Sequence, residues 1–210
     1  MLIAPSLLSC PLDHIRDHIT ALEKAGADLF HIDIMDGHYV PNMSFGPGFV
    51  KSIAAMTTLP LDVHLMVSDP RDVIPWFIEA GASSISFHPE TDPYSYELLH
   101  IIKKSGVKAG IVINPDCAVE DMAYLLTAAD YVVVMTVKPG FGGQKIKLEN
   151  LQKITEIRAI NPGLCIAVDG GVTLDNAPLI RPYNPNILIA GNSIFQTADY
   201  AHTIAQLKSV

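Results

Sequence analysis

Eight short apolar runs alternate with amphipathic segments from one end of the chain to the other. This rhythm limits the fold more than any other feature. The runs are Leu2–Leu8, Leu29–Ile34, Leu61–Val67, Ser84–Phe87, Val107–Ile113, Tyr131–Val137, Leu164–Val168 and Ile187–Ala190. Each has the length of one strand. Between them the periodicity is helical. The segment Asp13–Lys24 places Ile15, Ile19 and Leu22 on one face, and Ala25 continues that face. Leu148–Ile160 places Leu151, Ile154, Ile157 and Ala159 at helical spacing. Strands that alternate with helices form βαβ units and a parallel sheet. Eight such units in 210 residues predict an α/β fold, a single (β/α)8 TIM barrel spanning residues 1–210. A doubly wound open sheet is the competing arrangement. The count of eight and the lack of Gly-x-Gly-x-x-Gly after the first run speak against it. Ala25-Gly26-Ala27-Asp28 and Ala80-Gly81-Ala82-Ser83 each end a helix and lead into a strand, as a glycine with a left-handed cap would.

Composition agrees with a compact core, at 49% hydrophobic and 17% charged residues. The net charge of −8 argues against a nucleic-acid binder or a binder of anionic membranes. A bound phosphate remains compatible, since backbone N–H groups can hold it. No basic segment followed by an apolar stretch opens the chain, and no apolar run is long enough to span a bilayer. Cys10, Cys117 and Cys165 are scattered and form no CxxC pair, so the expectation is a reduced, cytoplasmic protein without disulfides.

Side-chain alternation sorts the polar residues onto particular faces. In the second run His31, Asp33 and Met35 share one face and Phe30, Ile32 and Ile34 the other. In the third, Asp62, His64 and Met66 oppose Leu61, Val63, Leu65 and Val67. Around the seventh, Leu164, Ile166 and Val168 oppose Cys165, Ala167 and Asp169. The apolar faces are expected under the helices and the polar faces inside the barrel. His31, Asp33, His64 and Asp169 would then lie at or near C-terminal strand ends, where barrel active sites are built. Two imidazoles and two carboxylates suit a divalent ion such as Zn, Fe, Mn or Co. Any one of them alone is more often a satisfied structural polar group than a ligand. Four converging from three strands are costly to bury unless paired or metal-bound.

Glycine-rich turns follow the last three strands: Pro139-Gly140-Phe141-Gly142-Gly143-Gln144, Asp169-Gly170-Gly171-Val172 and Ala190-Gly191-Asn192-Ser193, the last expected to open the final helix. A single such turn only reflects what turns need; three at consecutive strand ends point to a phosphate site. Met35, Met66 and Met135 read either as core filling or as a soft wall around a planar intermediate. Lys138 could in principle form a Schiff base with a carbonyl substrate. Its place beyond the apolar run and before Pro139 predicts instead a water-facing loop, suited to attracting phosphate. The loops Gly37–Pro47 and Gly140–Lys147 are the candidates for a lid.

Several segments together resemble the ribulose-phosphate 3-epimerase family. They are Ala4-Pro5-Ser6-Leu7-Leu8-Ser9, His31-Ile32-Asp33-Ile34-Met35-Asp36-Gly37-His38-Tyr39-Val40-Pro41-Asn42, His64-Leu65-Met66-Val67, Phe87-His88-Pro89-Glu90, Pro139 to Gln144 and Val168-Asp169-Gly170-Gly171-Val172. They occur in the family's order across nearly the whole chain. The resemblance implies a barrel of the ribulose-phosphate-binding type and a metal-dependent epimerase of the pentose phosphate pathway. Such an enzyme inverts carbon 3 of a small phosphorylated ketose. It further implies one divalent metal ion on His31, Asp33, His64 and Asp169. Asp33 and Asp169 would serve as the acid–base pair, one on each side of the substrate. Ser6 and His64 would contact the substrate, with Met35, Met66 and Met135 lining the pocket. Gly140, Phe141, Gly142, Gly143, Gly170, Gly171, Gly191 and Asn192 would surround the phosphate. A homo-oligomer is implied as well.

Two departures stand out. Gly191-Asn192-Ser193 replaces the family's usual Gly-Ser-Ala, and Arg181-Pro182-Tyr183-Asn184-Pro185-Asn186 replaces its usual entry to the last strand. Epimerases of allulose 6-phosphate share much of the pattern, including His88-Pro89-Glu90-Thr91, which leaves a hexose phosphate as the alternative substrate. More distant rivals are a phosphosugar lyase and a non-catalytic phosphosugar-binding barrel. The first needs a strand-end lysine that the inward positions of runs two and three lack. The second has no need of four ligands.

Overall fold

The computed structural model describes residues 1–209; Val210, the last residue of the expected domain, lies outside the described residues. Strands β1 (Leu2–Pro5), β2 (Phe30–Met35), β3 (Leu61–Met66), β4 (Ser84–Phe87), β5 (Lys108–Ile113), β6 (Tyr131–Met135), β7 (Cys165–Asp169) and β8 (Ile187–Ala190) form one sheet in the order β1-β8-β7-β6-β5-β4-β3-β2. Every pairing is parallel. A bridge between Ser6 and His31 links the two end strands and closes the barrel. Helices α1 (Ile15–Lys24), α2 (Pro47–Ala54), α3 (Pro70–Glu79), α4 (Ser95–Lys104), α5 (Ala123–Ala128), α6 (Gln152–Ile160) and α7 (Ala177–Ile180) occupy the crossovers. After β8 come a single turn, α8 (Asn192–Phe195), and the closing helix α9 (Tyr200–Ser209). The expected (β/α)8 barrel is the observed fold.

Alternation works as expected and produces two cores. Phe30, Ile32, Ile34, Val63, Leu65, Ile166 and Val168 pack outward beneath the helices, against residues such as Ile19, Leu22, Ile154 and Ile157. Ala4, Val112, Tyr131, Val133, Met135, Ala167 and Ile189 fill the interior of the barrel. Gly26 and Gly81 adopt φ of +88° and +99°, the left-handed conformation expected after a helix. Among the described residues no helix is long and apolar enough to cross a membrane, and the three cysteines are unpaired.

Four local expectations need correction. Strand β1 stops at Pro5, because the chain leaves the sheet and turns through a 3-10 segment at Leu7–Ser9; the apolar run continues because Leu7 buries in the outer core and Leu8 packs against Met35, Val40 and Met66. Strand β6 ends at Met135, so Thr136 and Val137 start the following loop. Ala159, at the edge of the stripe on α6, faces water while Leu151, Ile154 and Ile157 are buried. Gly191-Asn192-Ser193 opens the one-turn α8 and not the final helix, which starts eight residues further along at Tyr200.

Candidate active site

The register of β2 against β3 pairs His31 with Asp62 and Asp33 with His64, so both histidines and both aspartates point into the barrel at adjacent levels. Asp169 arrives from the end of β7, opposite Met135 of β6. His31, Asp33, His64 and Asp169 each offer one ligand atom, and those atoms all lie within 4.8 Å of one another. Asp33 Oδ1 is 3.3 Å from His31 Nε2 and 3.2 Å from His64 Nδ1, while Asp169 Oδ2 is 3.9 Å from each. His31 lies deeper than a strand-end position, in the second place of the six-residue β2, while Asp33 and His64 share the fourth places of β2 and β3. The bridge from Ser6 to His31 sets that depth: the end of β1 is level with the start of β2.

Do these residues fit a metal ion? His31 Nε2 is buried, makes no hydrogen bond, and faces the oxygens of both aspartates. Its other nitrogen, Nδ1, donates to Asp62 Oδ2 at 2.8 Å. That arrangement leaves Nε2 as the nitrogen that would face an ion at the focus of the cluster. Two imidazole nitrogens and two carboxylate oxygens match the donor preferences of a divalent first-row ion. The cluster fits.

The two carboxylates are tuned in opposite directions. Burial alone would raise Asp33, but the charges and hydrogen bonds of His31 and His64 outweigh it and hold the carboxyl well below the usual range. Asp169 is raised to about 6, first by burial and then by repulsion from Asp33, with His31 pulling the other way. Burial would lower His31, yet Asp33 and Asp62 hold it well above its ordinary value. Such divergent pairs mark acid–base sites. Ser6 Oγ donates to Asp33 Oδ2 at 2.7 Å and fixes that carboxylate from the side of β1.

Above the cluster opens a cavity of about 290 Å³. Ser6, Asp33, Met35, Met66, Met135, Asp169 and the three glycine turns all line it. Gly140, Phe141, Gly142, Gly143, Gly170, Gly171, Gly191 and Asn192 therefore share one space. Gly171 shows why glycine is required: its φ is +65°, and a Cβ there would lie 2.5 Å from Ile146 N and 2.6 Å from Gln144 O. The β7 turn thus sits against the backbone of the β6 loop, and Thr136 Oγ1 binds it by donating to Asp169 O at 2.9 Å. Lys138 is exposed at the rim. Asn42 Nδ2 donates to Gly140 O at 2.7 Å, which joins the two loops expected to form a lid.

A model of the ribulose-phosphate 3 epimerase family matches residues 2–195. The chain belongs to that family. It is 41% identical to the ribulose-phosphate 3-epimerase of Bacillus subtilis, over 98% of this chain and 97% of that protein. To the Escherichia coli K12 protein of the same name it is 39% identical, over 99% and 95%. To the chloroplastic ribulose-5-phosphate-3-epimerase of Arabidopsis thaliana it is also 39% identical, over all of this chain and 76% of that protein. Among solved structures, 3-hexulose-6-phosphate synthase from Salmonella typhimurium superposes with a TM-score of 0.77 at 17% identity, covering 100% of this chain and 97% of that one. That likeness speaks for the barrel alone.

Family membership leaves some buried polar residues without a role, and the sequence reading gave them none. Asp62 was visible on the inward face beside His64. His88 was visible only as part of a motif. It is fully buried, with Nε2 2.9 Å from His64 Nε2, and burial pushes it down to about 4, so it stays neutral. Its Nδ1 faces Glu90 at 3.7 Å, and Tyr39 and Asn114 both donate to that glutamate. Ser9, Thr173, Ser193 and Gln196 also line the cavity. Ser9 and Ser193 fall within segments already singled out but carried no role there; no local pattern marks Thr173 and Gln196, because their approach depends on how the loops fold together.

Proposed function

We propose that the cleft inverts carbon 3 of D-ribulose 5-phosphate to give D-xylulose 5-phosphate, through an enediolate. The observation that carries this reading is the convergence of two aspartates and two histidines on one cluster of ligand atoms at the floor of the cavity. Inversion needs a base on one side of the carbon and an acid on the other. Asp33 and Asp169 would supply that pair, since they reach the cavity from different strands, β2 and β7. Asp33 takes the proton in one direction, and Asp169 returns one on the opposite side. In the reverse direction the roles exchange.

His31, Asp33, His64 and Asp169 would hold one divalent ion, Zn, Fe, Mn or Co. When bound it supplies Lewis-acid stabilisation of the charge that develops at the ketone oxygen. Ser6 orients Asp33. Met35, Met66 and Met135 present polarisable, apolar surface to the planar intermediate and keep water from it. The turns containing Gly140, Phe141, Gly142 and Gly143, Gly170 and Gly171, and Gly191 and Asn192 bind the phosphate through backbone N–H groups. Lys138 at the rim adds attraction for the anion. The whole site is the work of one domain over residues 1–210, in a homo-oligomer. A reduced cytoplasmic setting suits its free cysteines.

Incubation of the metal-loaded protein with ribulose 5-phosphate in heavy water tests the reading. Deuterium at carbon 3 together with xylulose 5-phosphate, followed by NMR, is the expected result. No exchange and no product would overturn the pentose assignment. Exchange into allulose 6-phosphate alone would reassign the substrate to a hexose phosphate.

A further inference from the structure

We propose that Asp62 is a positioning residue that sets the tautomer and ring angle of His31, and that hydroxyls from two other strands hold it in place. The inference rests on the metal-centred reading above. Asp62 is 3% exposed and lies on β3 directly opposite His31. One oxygen, Oδ2, accepts from His31 Nδ1 at 2.8 Å. The other, Oδ1, accepts from Ser84 Oγ at 2.7 Å and from the Tyr131 hydroxyl at 2.6 Å. A carboxylate only accepts hydrogen bonds, so this contact assigns the proton to Nδ1. A histidine ligates a metal only through an unprotonated nitrogen, so with the proton kept on Nδ1 the nitrogen left to ligate is Nε2, the atom aimed at Asp33 and Asp169. With both hydroxyls on Oδ1, the second oxygen is committed to His31 and the ring cannot turn without losing that bond.

Tyr131 reaches Asp62 by an unusual route. It belongs to β6, and its ring crosses β5 at Gly110, its register partner. A Cβ on Gly110 would lie 2.4 Å from Tyr131 Cε1 and 2.5 Å from Cζ. Gly110 has no positive φ, so its backbone would accept any residue. The missing side chain serves the tyrosine. Ser84, from β4, is the register partner of Asp62. The floor of the candidate metal cluster is thus built by β3, β4, β5 and β6, none of which except β3 contributes a ligand.

The test is cation affinity of the purified full chain, measured by chelator competition with Zn²⁺ and Co²⁺. Asp62→Ala should weaken binding by about 10–100-fold. Asp62→Asn, whose amide oxygen still accepts from Nδ1, should recover part of that loss. Tyr131→Phe should weaken binding least, because Ser84 remains. The absorption bands of the Co²⁺-loaded protein should shift in Asp62→Asn and stay unchanged in the exposed control Asp72→Asn. A structural role alone would lower thermal stability without moving those bands. Wild-type affinity and an unshifted Co²⁺ spectrum in a folded Asp62→Asn protein would overturn the inference. If Asp62→Ala fails to fold, Asp62→Asn and Tyr131→Phe decide it. Wild-type protein that binds neither cation would instead sink the metal-centred reading on which the inference depends.

Discussion

The two sides of the barrel interior are built on opposite plans. Strands β2 and β3 send His31, Asp33, Asp62 and His64 inward, all buried. Strands β6 and β8, and β7 up to its last residue, send Tyr131, Val133, Met135, Ala167 and Ile189, a mostly apolar set. The first side spends its charged groups on one another, through short contacts between imidazole and carboxylate. The second carries a single charge, Asp169, and ends in glycine turns whose backbone faces the cavity. The contrast separates two tasks. On the proposed function, side chains on rigid strands would handle protons and a cation, where position must hold closely. Backbone on loops would handle an anion, where several N–H groups share the load. Asp169 is the exception that joins them: it stands at the seam, with the cluster on one side and Gly170 and Gly171 on the other.

The largest test of this division is removal of either acid–base carboxyl. Asp33→Asn and Asp169→Asn should each lower kcat by about 10²–10⁴-fold with little change in KM. A variant that raised KM and spared kcat would place that residue in substrate binding and dissolve the distinction between the sides. The converse test is Gly171→Ala. The added methyl meets the backbone at Ile146 N and Gln144 O, so the β6 and β7 loops must part. Displacement of this size should cost about 10–100-fold in kcat/KM, mainly through KM. Cation affinity should remain that of the wild type. If Gly171→Ala loses cation binding as well, the two sides are one coupled unit.

How far the sequence foretold this follows from the same contrast. The strand side was legible because alternation is a local property: once His31, Asp33, Asp62 and His64 fall on the polar faces of two runs, the barrel brings them together. The glycine turns were legible as a group by their place after consecutive strands. What could not be read was contact across the interior. Tyr131 looks like an ordinary strand aromatic, and Gly110 like a weak strand residue, until the register sets one beside the other and opens a path to Asp62. His88 needs the stacking of β4 beside β3 to reach His64. Depth also depended on register, since only the bridge from Ser6 to His31 reveals that β2 enters the site near its start.

The smallest expected effect concerns stability, and it turns on the residue at the seam. The Asp169 carboxyl is raised from 3.8 to about 6, so the folded metal-free protein holds this proton more tightly than the unfolded chain does. Stability from this group is therefore full below pH 3.8 and declines as pH rises to about 6. Above that, the ionised carboxylate is a standing cost of at most about 3 kcal/mol. Asp169→Asn removes it. In metal-free protein at pH 7.5 the variant should melt a few degrees above wild type, at about 2–4 °C per kcal/mol, and the gap should shrink as pH falls through the same window. A saturating divalent cation should reverse the order, because only wild type keeps all four ligands and gains their full binding energy. Calorimetry in chelator and then in excess Zn²⁺ gives both comparisons. A wild type that melts higher in chelator would mean that Asp169 stabilises the fold and is not held at the fold's expense for its chemistry.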